Sequence, residues 1–205
     1  MKFFLIKILS IVLISKAYAQ SYKEIKIGRQ VWMAENLNVS TFRNGDSITQ
    51  LFSFEEWKIA LQNHQPAWCF INSNSVNNIL CGKWYNFYAV TDPRGLAPEG
   101  WHIPALSEWD VMVHELGGKL IDNKNDVGIK LKSKDWWNKK STNDFGFSAV
   151  PCGACAGPDR IFDNDKTAWW TTTGFYVIGV SDQSAIQFEK VFEKGIGISV
   201  RCIKD

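Results

Sequence analysis

The chain has 205 residues, with 23 basic and 21 acidic side chains, 45% hydrophobic residues, ten tryptophans and five cysteines. Three of the lysines fall in a 19-residue apolar leader, which leaves 20 basic against 21 acidic residues in the remaining 186. That length suits one domain with a core of its own, and the balanced charge argues against nucleic acid and against an electrostatic membrane contact.

The leader, MKFFLIKILSIVLISKAYAQ, carries Lys2 and Lys7, an apolar run from Ile8 to Ile14 and the small-x-small triplet Ala17-Tyr18-Ala19. This is the pattern of a secretory signal peptide cleaved after Ala19, and its apolar run is too short to span a bilayer. The expectation is an exported protein, extracellular or periplasmic, made of a single domain over 20–205. Disulfides are expected there, and Cys69, Cys81, Cys152, Cys155 and Cys202 are the candidates. An odd count leaves one cysteine without a partner in the chain, and spacing does not fix the connectivity.

KEIKIGRQVWMAENL (23–37) alternates and turns at Gly28-Arg29, which predicts a hairpin. Ser53 opens SFEEWKIALQN with a capping box to Glu56, and Trp57, Ala60 and Leu61 share one helical face. The polar run 72–78 predicts a loop that a Cys69–Cys81 bridge could close. KWYNFYAV (83–90) is strand-like or irregular, and Asp92-Pro93-Arg94-Gly95 is a turn. SEWDVMVHEL (107–116) places Trp109, Met112, Val113 and Leu116 on one stripe before Gly117-Gly118, with His114 outside it. One or two helical turns are expected over 126–133. From Phe145 on, FGFSAV, AWWTTT, SAIQFE and ISVRCIK are expected as short strands, the last pairing near the first ones. Helices in the first two thirds with strands at both ends predict an α+β fold.

Four features carry candidate chemistry. Cys152-Gly153-Ala154-Cys155 is a C-x-x-C, to be read as a structural disulfide or local clip, a redox pair, or half a metal site. Its glycines and Pro158 suit a loop, and no second ligand pair exists in the sequence. His102 sits between Trp101 and Ile103; no carboxylate stands at a telling spacing from it, so a strand histidine with satisfied hydrogen bonds is expected rather than a general base. DRIFDND offers Asp159, Asp163 and Asp165 as weak calcium ligands or as exposed turn residues. Trp136-Trp137 and Trp169-Trp170 are adjacent pairs. In a strand, neighbours point to opposite faces, so one ring of Trp169-Trp170 should be buried and the other should meet a second layer or solvent, where it could stack on a sugar.

Nine blocks carry a resemblance: IGRQVWMAENLN (27–38), PAWCF (66–70), GKWYNFYAV (82–90), GLAPEGWHIPALSEW (95–109), LGG (116–118), LKS (131–133), GFSAVP (146–151), WWTTT (169–173) and ISVRCIKD (198–205). In this order they resemble the Fibrobacter succinogenes major paralogous domain, a family of exported proteins of that group and of Bacteroidetes. WHIPALSEW and the closing SVRC are more distantly similar to the C-type-lectin-like fold and to formylglycine-generating enzymes. The resemblance implies a small twisted antiparallel sheet with two or three flanking helices and long loops. It also implies a cysteine at position 97, partner to Cys202, where this chain has Ala97; Cys152 or Cys155 would then serve Cys202. It further implies a serine N-cap at position 105. With Ala105 there, the helix would use Ser107 or leave its first turn uncapped, at about 1 kcal/mol.

No G-x-S-x-G, H-E-x-x-H or phosphate-cradling glycine loop is present, and no cofactor is expected. The leading expectation is a secreted or cell-surface, non-catalytic binding or adhesion domain for a glycan or envelope protein, with Trp136, Trp137, Trp169 and Trp170 as candidate ligand contacts. The alternatives are a cysteine-dependent enzyme related to the formylglycine-generating group and a structural envelope component.

Overall fold

A computed structural model describes residues 22–70, 79–119, 126–137, 141–162, 165–173, 176–181, 186–190 and 195–205. The leader expected over 1–19 and the loop 72–78 lie outside the described residues. The fold is mixed α/β, built on small and mostly antiparallel sheets. Among the described residues no helix is long and apolar enough to cross a membrane.

The predicted hairpin forms as β1 (Glu24–Ile27) and β2 (Gln30–Met33), paired from Glu24–Met33 to Ile27–Gln30. Gly28 turns it at φ 59°, a left-handed conformation that glycine adopts without a Cβ penalty. The free edge of β2 is taken by Ile203, which faces Trp32. β3 (Thr49–Gln50) and β4 (Ala67–Cys69) are parallel, and α1 (Phe54–Gln62) connects them. Ser53 caps α1 by accepting from Glu56 N–H at 3.2 Å, and the helix buries Trp57 and Ala60. KWYNFYAV resolves into β5 (Trp84–Tyr85), antiparallel to β4, and one helical turn, α2 (Phe87–Val90), because Asn86 Oδ1 accepts from Ala89 N–H at 3.0 Å.

β6 (Trp101–His102) pairs with β12 (Ile203–Lys204), so the N-terminal hairpin sheet runs β1-β2-β12-β6. α3 (Leu106–Glu115) buries Trp109, Met112 and Val113, with Leu116 just beyond, as the stripe predicted. Its N-cap is Ala105, which has no side-chain acceptor. The first turn is nevertheless capped: Thr173 Oγ1 accepts from Leu106 N–H at 2.8 Å, and Glu108 Oε2 accepts from Ala105 N–H at 2.8 Å. The expected fallback to Ser107, or to no cap, is corrected by a hydroxyl from 67 residues away.

α4 (Val127–Leu131) is the short helix expected over 126–133. FGFSAV is not a strand; Gly146 (φ 72°) and Ser148 (φ 56°) turn the chain, and only Ala149 bridges to Lys132. β7 (Ala154–Cys155) and β8 (Ile161–Phe162) form a two-residue ladder. The last sheet is a meander of β9 (Lys166–Trp170), β10 (Tyr176–Ser181) and β11 (Ile186–Lys190). Its central strand β10 falls outside the strands that the sequence predicts, and of ISVRCIK only Ile203 and Lys204 belong to a strand. The residues before them act as a hub: Ile198 bridges Tyr85, Gly197 bridges Cys155, and Ser199 bridges Trp169. One segment thus ties the edges of three sheets together.

Trp169 and Trp170 do point to opposite faces, but both are fully buried. Trp169 stacks on Trp109 at 5.6 Å, in the cluster that also holds Trp32, Phe147 and Ile203. Trp170 packs in a second cluster with Tyr85, Trp101 and Cys202. Eight of the ten tryptophans are buried. Each such ring removes roughly 150–250 Å² from water, a gross gain of about 4–6 kcal/mol. Tryptophan density here is chiefly a property of the core.

A polar node sits between these clusters. Asn36 Oδ1 accepts from Trp169 Nε1 at 2.8 Å and from Arg201 Nε and Nη2 at 3.1 and 2.7 Å. Asn36 Nδ2 donates to Cys81 O at 3.0 Å and Ser199 Oγ at 3.1 Å. Arg201 Nη1 donates to Phe147 O, and its guanidinium lies 4.2 Å from the Phe147 ring. Burial lowers the Arg201 pKa to about 9, so the group is still cationic at neutral pH. We expect Asn36→Ala to destabilise the protein by about 3 kcal/mol or more, because it strands a buried cation and an indole N–H. A urea titration showing a loss below about 1 kcal/mol would contradict this role.

Candidate functional site

Cys152 is joined to Cys81, 71 residues away, with their Cα atoms 5.6 Å apart. The Cys69–Cys81 closure that the sequence allowed does not form. It also separates the C-x-x-C: Gly153 (φ 70°) turns the chain, and Cys155 enters β7 with its Sγ 3.5 Å from that of Cys69. Cys202 is a buried free thiol in the cluster that contains Ala97. Neither Cys152 nor Cys155 has taken the place of the missing cysteine at 97, because both face other parts of the core. Burial pushes the Cys202 thiol pKa well up. That of Cys69 is raised by its hydrogen bond to Cys155 and by burial. Neither is poised as a thiolate.

His102 does have carboxylates, six and 103 residues away. Its Nε2 lies 2.8 Å from Glu108 Oε1 and its Nδ1 2.7 Å from Asp205 Oδ1. The sequence spacing concealed both, since Asp205 arrives through the β12–β6 pairing. Only the imidazolium can donate to both carboxylates at once. No hydroxyl or thiol nucleophile is hydrogen-bonded to the ring among the described residues, and Glu108 is committed to the start of α3.

Asp159 and Asp165 are exposed, and Asp163 lies outside the described residues. Among the described residues no three His, Cys, Asp or Glu side chains converge to hold a metal ion. Trp169 and Trp170 are unavailable as ligand contacts, being core. Trp137 is half-buried; its Nε1 donates to Ala149 O at 2.8 Å and its ring lies 5.1 Å from the Lys132 ammonium. Of the four tryptophan candidates only Trp136 is exposed, at 45%.

Trp136 lines a cavity of about 400 Å³, together with Ile79, Ser133, Asn143, Ser148 and Arg201. Ile79 is 79% exposed, so two large apolar side chains meet solvent at one depression. Ser133 Oγ is buried without a hydrogen-bond partner, which is unusual in a folded protein. Asn143 (φ 49°) and Ser148 (φ 56°) are both left-handed, a conformation that costs roughly 1 kcal/mol or more at a non-glycine residue. Two hydrogen bonds hold them together: Ser148 N–H donates to Asn143 Oδ1 at 2.8 Å, and Asn143 Nδ2 donates to Ser148 Oγ at 2.9 Å. The cavity charges balance, Arg201 and Lys134 against Glu35 and Asp135. Sequence reading missed Ser133, Asn143 and Ser148. A local signal existed only for Ser148, which GFSAV sets as a polar residue inside an apolar run.

These features define a mixed α/β domain stapled by a long-range disulfide, with a tryptophan-filled core and one rim tryptophan beside a cavity of mixed polarity. The chain belongs to the Fibrobacter succinogenes major domain family, whose family model matches residues 25–204. No curated protein and no solved structure matches it.

The His102 contacts have a pH consequence. Burial lowers the His102 pKa, but the hydrogen bonds it donates to Glu108 and Asp205, with their charge, outweigh it and leave it raised above the usual 6.5. The stabilisation is therefore fully present below about pH 6.5 and is lost as pH rises through the folded-state pKa. It amounts to less than about 1 kcal/mol, since the side chain is 40% exposed. We expect a ring-proton NMR titration of His102 to show a midpoint above that of a free histidine. Glu108→Gln should move it down, and a midpoint at or below the free value would contradict the ion pairs.

Proposed function

We propose that this is a secreted or cell-surface, non-catalytic binding domain whose cavity beside Trp136 takes a neutral glycan segment. The observation that carries the reading is the exposed Trp136 indole at the rim of a cavity of about 400 Å³ that the polar residues Asn143 and Ser148 also line. A sugar offers what this combination can use, an apolar ring face for Trp136 and hydroxyls for the polar side chains of Asn143 and Ser148. Balanced wall charge favours a neutral ligand over an ionic one. Export rests on the leader pattern over 1–19.

We also read the architecture as C-type-lectin-like. The β12 closure onto the N-terminal hairpin, the flanking helices and the long connections support that reading. Cysteine-dependent catalysis has weaker support, since Cys152 is cross-linked and the Cys69 thiol is buried with a raised pKa.

Glycan arrays and polysaccharide pull-downs on the purified domain test the binding reading. Trp136→Ala should weaken retention at least tenfold, equivalent to about 1.4 kcal/mol, with the melting temperature unchanged. Trp169→Ala should unfold the domain instead. No retention on any polysaccharide or envelope fraction, or retention indifferent to Trp136, would overturn the proposal.

A further inference from the structure

Cys69 and Cys155 are 86 residues apart in sequence, yet their sulfurs touch at 3.5 Å. Cys69 ends β4 and Cys155 ends β7, and both are fully buried in a cluster with Leu51, Trp57, Ala67 and Trp84. The Cys155 sulfur is held from the other side as well. A Cβ on Gly197 would come within 2.7 Å of it and equally close to the Trp57 ring. Glycine at 197 is therefore what makes room for this sulfur against Cys69. No acid or histidine joins the pair in a metal-binding set among the described residues. Two thiols in contact, aligned by strands and lacking other ligands, suit a covalent link.

We propose that Cys69 and Cys155 form a second disulfide of the mature protein, made by thiol–disulfide exchange during folding. The thiolate of one cysteine attacks a disulfide oxidant, of the glutathione or dithiol-oxidoreductase class, and expels one oxidant thiol. The second cysteine then attacks the mixed disulfide and releases the other oxidant thiol. The two cysteine thiols give up two protons and two electrons, and the oxidant disulfide becomes two thiols. The step belongs to folding because the closed cluster excludes the oxidant and raises the Cys69 pKa, which suppresses thiolate in the folded chain. A 3.5 Å contact needs only a small approach of the two sulfurs to reach bonding distance. With Cys81–Cys152 already joined, the odd cysteine of the sequence is then Cys202, enclosed in the neighbouring cluster.

The test is a thiol count on the full chain, exported or refolded in reduced and oxidised glutathione, then denatured with an alkylating reagent before mass analysis. One alkylated cysteine, Cys202, is expected, with a non-reduced Cys69–Cys155 peptide beside Cys81–Cys152. Cys202→Ser should drop the count to none, and Cys155→Ser should raise it to two, Cys69 and Cys202. Three alkylated cysteines in the wild-type chain, or Cys155 linked to Cys152 or Cys202, would overturn the assignment. The wild-type count decides the matter even where a variant fails to fold.

Discussion

Arg201 is buried, cationic and without an ion pair among the described residues, and the fold is arranged to tolerate it. A buried charge is expensive unless it is hydrogen-bonded. Here the compensation comes from one amide, one backbone carbonyl and the faces of Phe147 and Trp169. Asn36 is the pivot, because its carbonyl also takes the Trp169 indole and its amide reaches the carbonyl of disulfide-bonded Cys81. The end of the first hairpin, the meander, the bridge and the last segment are therefore coupled through a single side chain.

Around that node the chain builds two aromatic layers rather than one. Trp169 and Trp170 face opposite ways from β9, and each finds a complete core. The segment 197–203 runs between the layers and carries ladder contacts to several sheets, so it supplies the organisation that none of these two- to six-residue strands could provide alone. The cavity by Trp136 borders this node through Arg201. A packed wall is thus placed beside the left-handed turn at Asn143 and Ser148.

Much of the fold was legible locally. The hairpin turn, the Ser53 cap and the Trp109 stripe follow from spacing and cap chemistry, because those contacts lie within a few residues. Strand boundaries after Phe145 were less legible. Positive-φ residues at 146 and 148 bend an apolar run that looks extended, and Gly179 interrupts the apolar pattern of the central strand. Of the candidate site, only Trp136 was visible beforehand. Ser133, Asn143 and Ser148 became candidates because α4 and the following turn place them at one cavity.

The sequence by itself determined the family, the mixed helix and strand content, the apolar stripe of α3 and the pool of cysteines, since each depends on residue type and near-neighbour order. Tertiary structure alone decided which cysteines meet, which tryptophans are core, what caps α3 and what brackets His102. Those outcomes join residues 71, 67 and 103 positions apart. At such separations, local periodicity holds no information about which partner the closing chain will deliver.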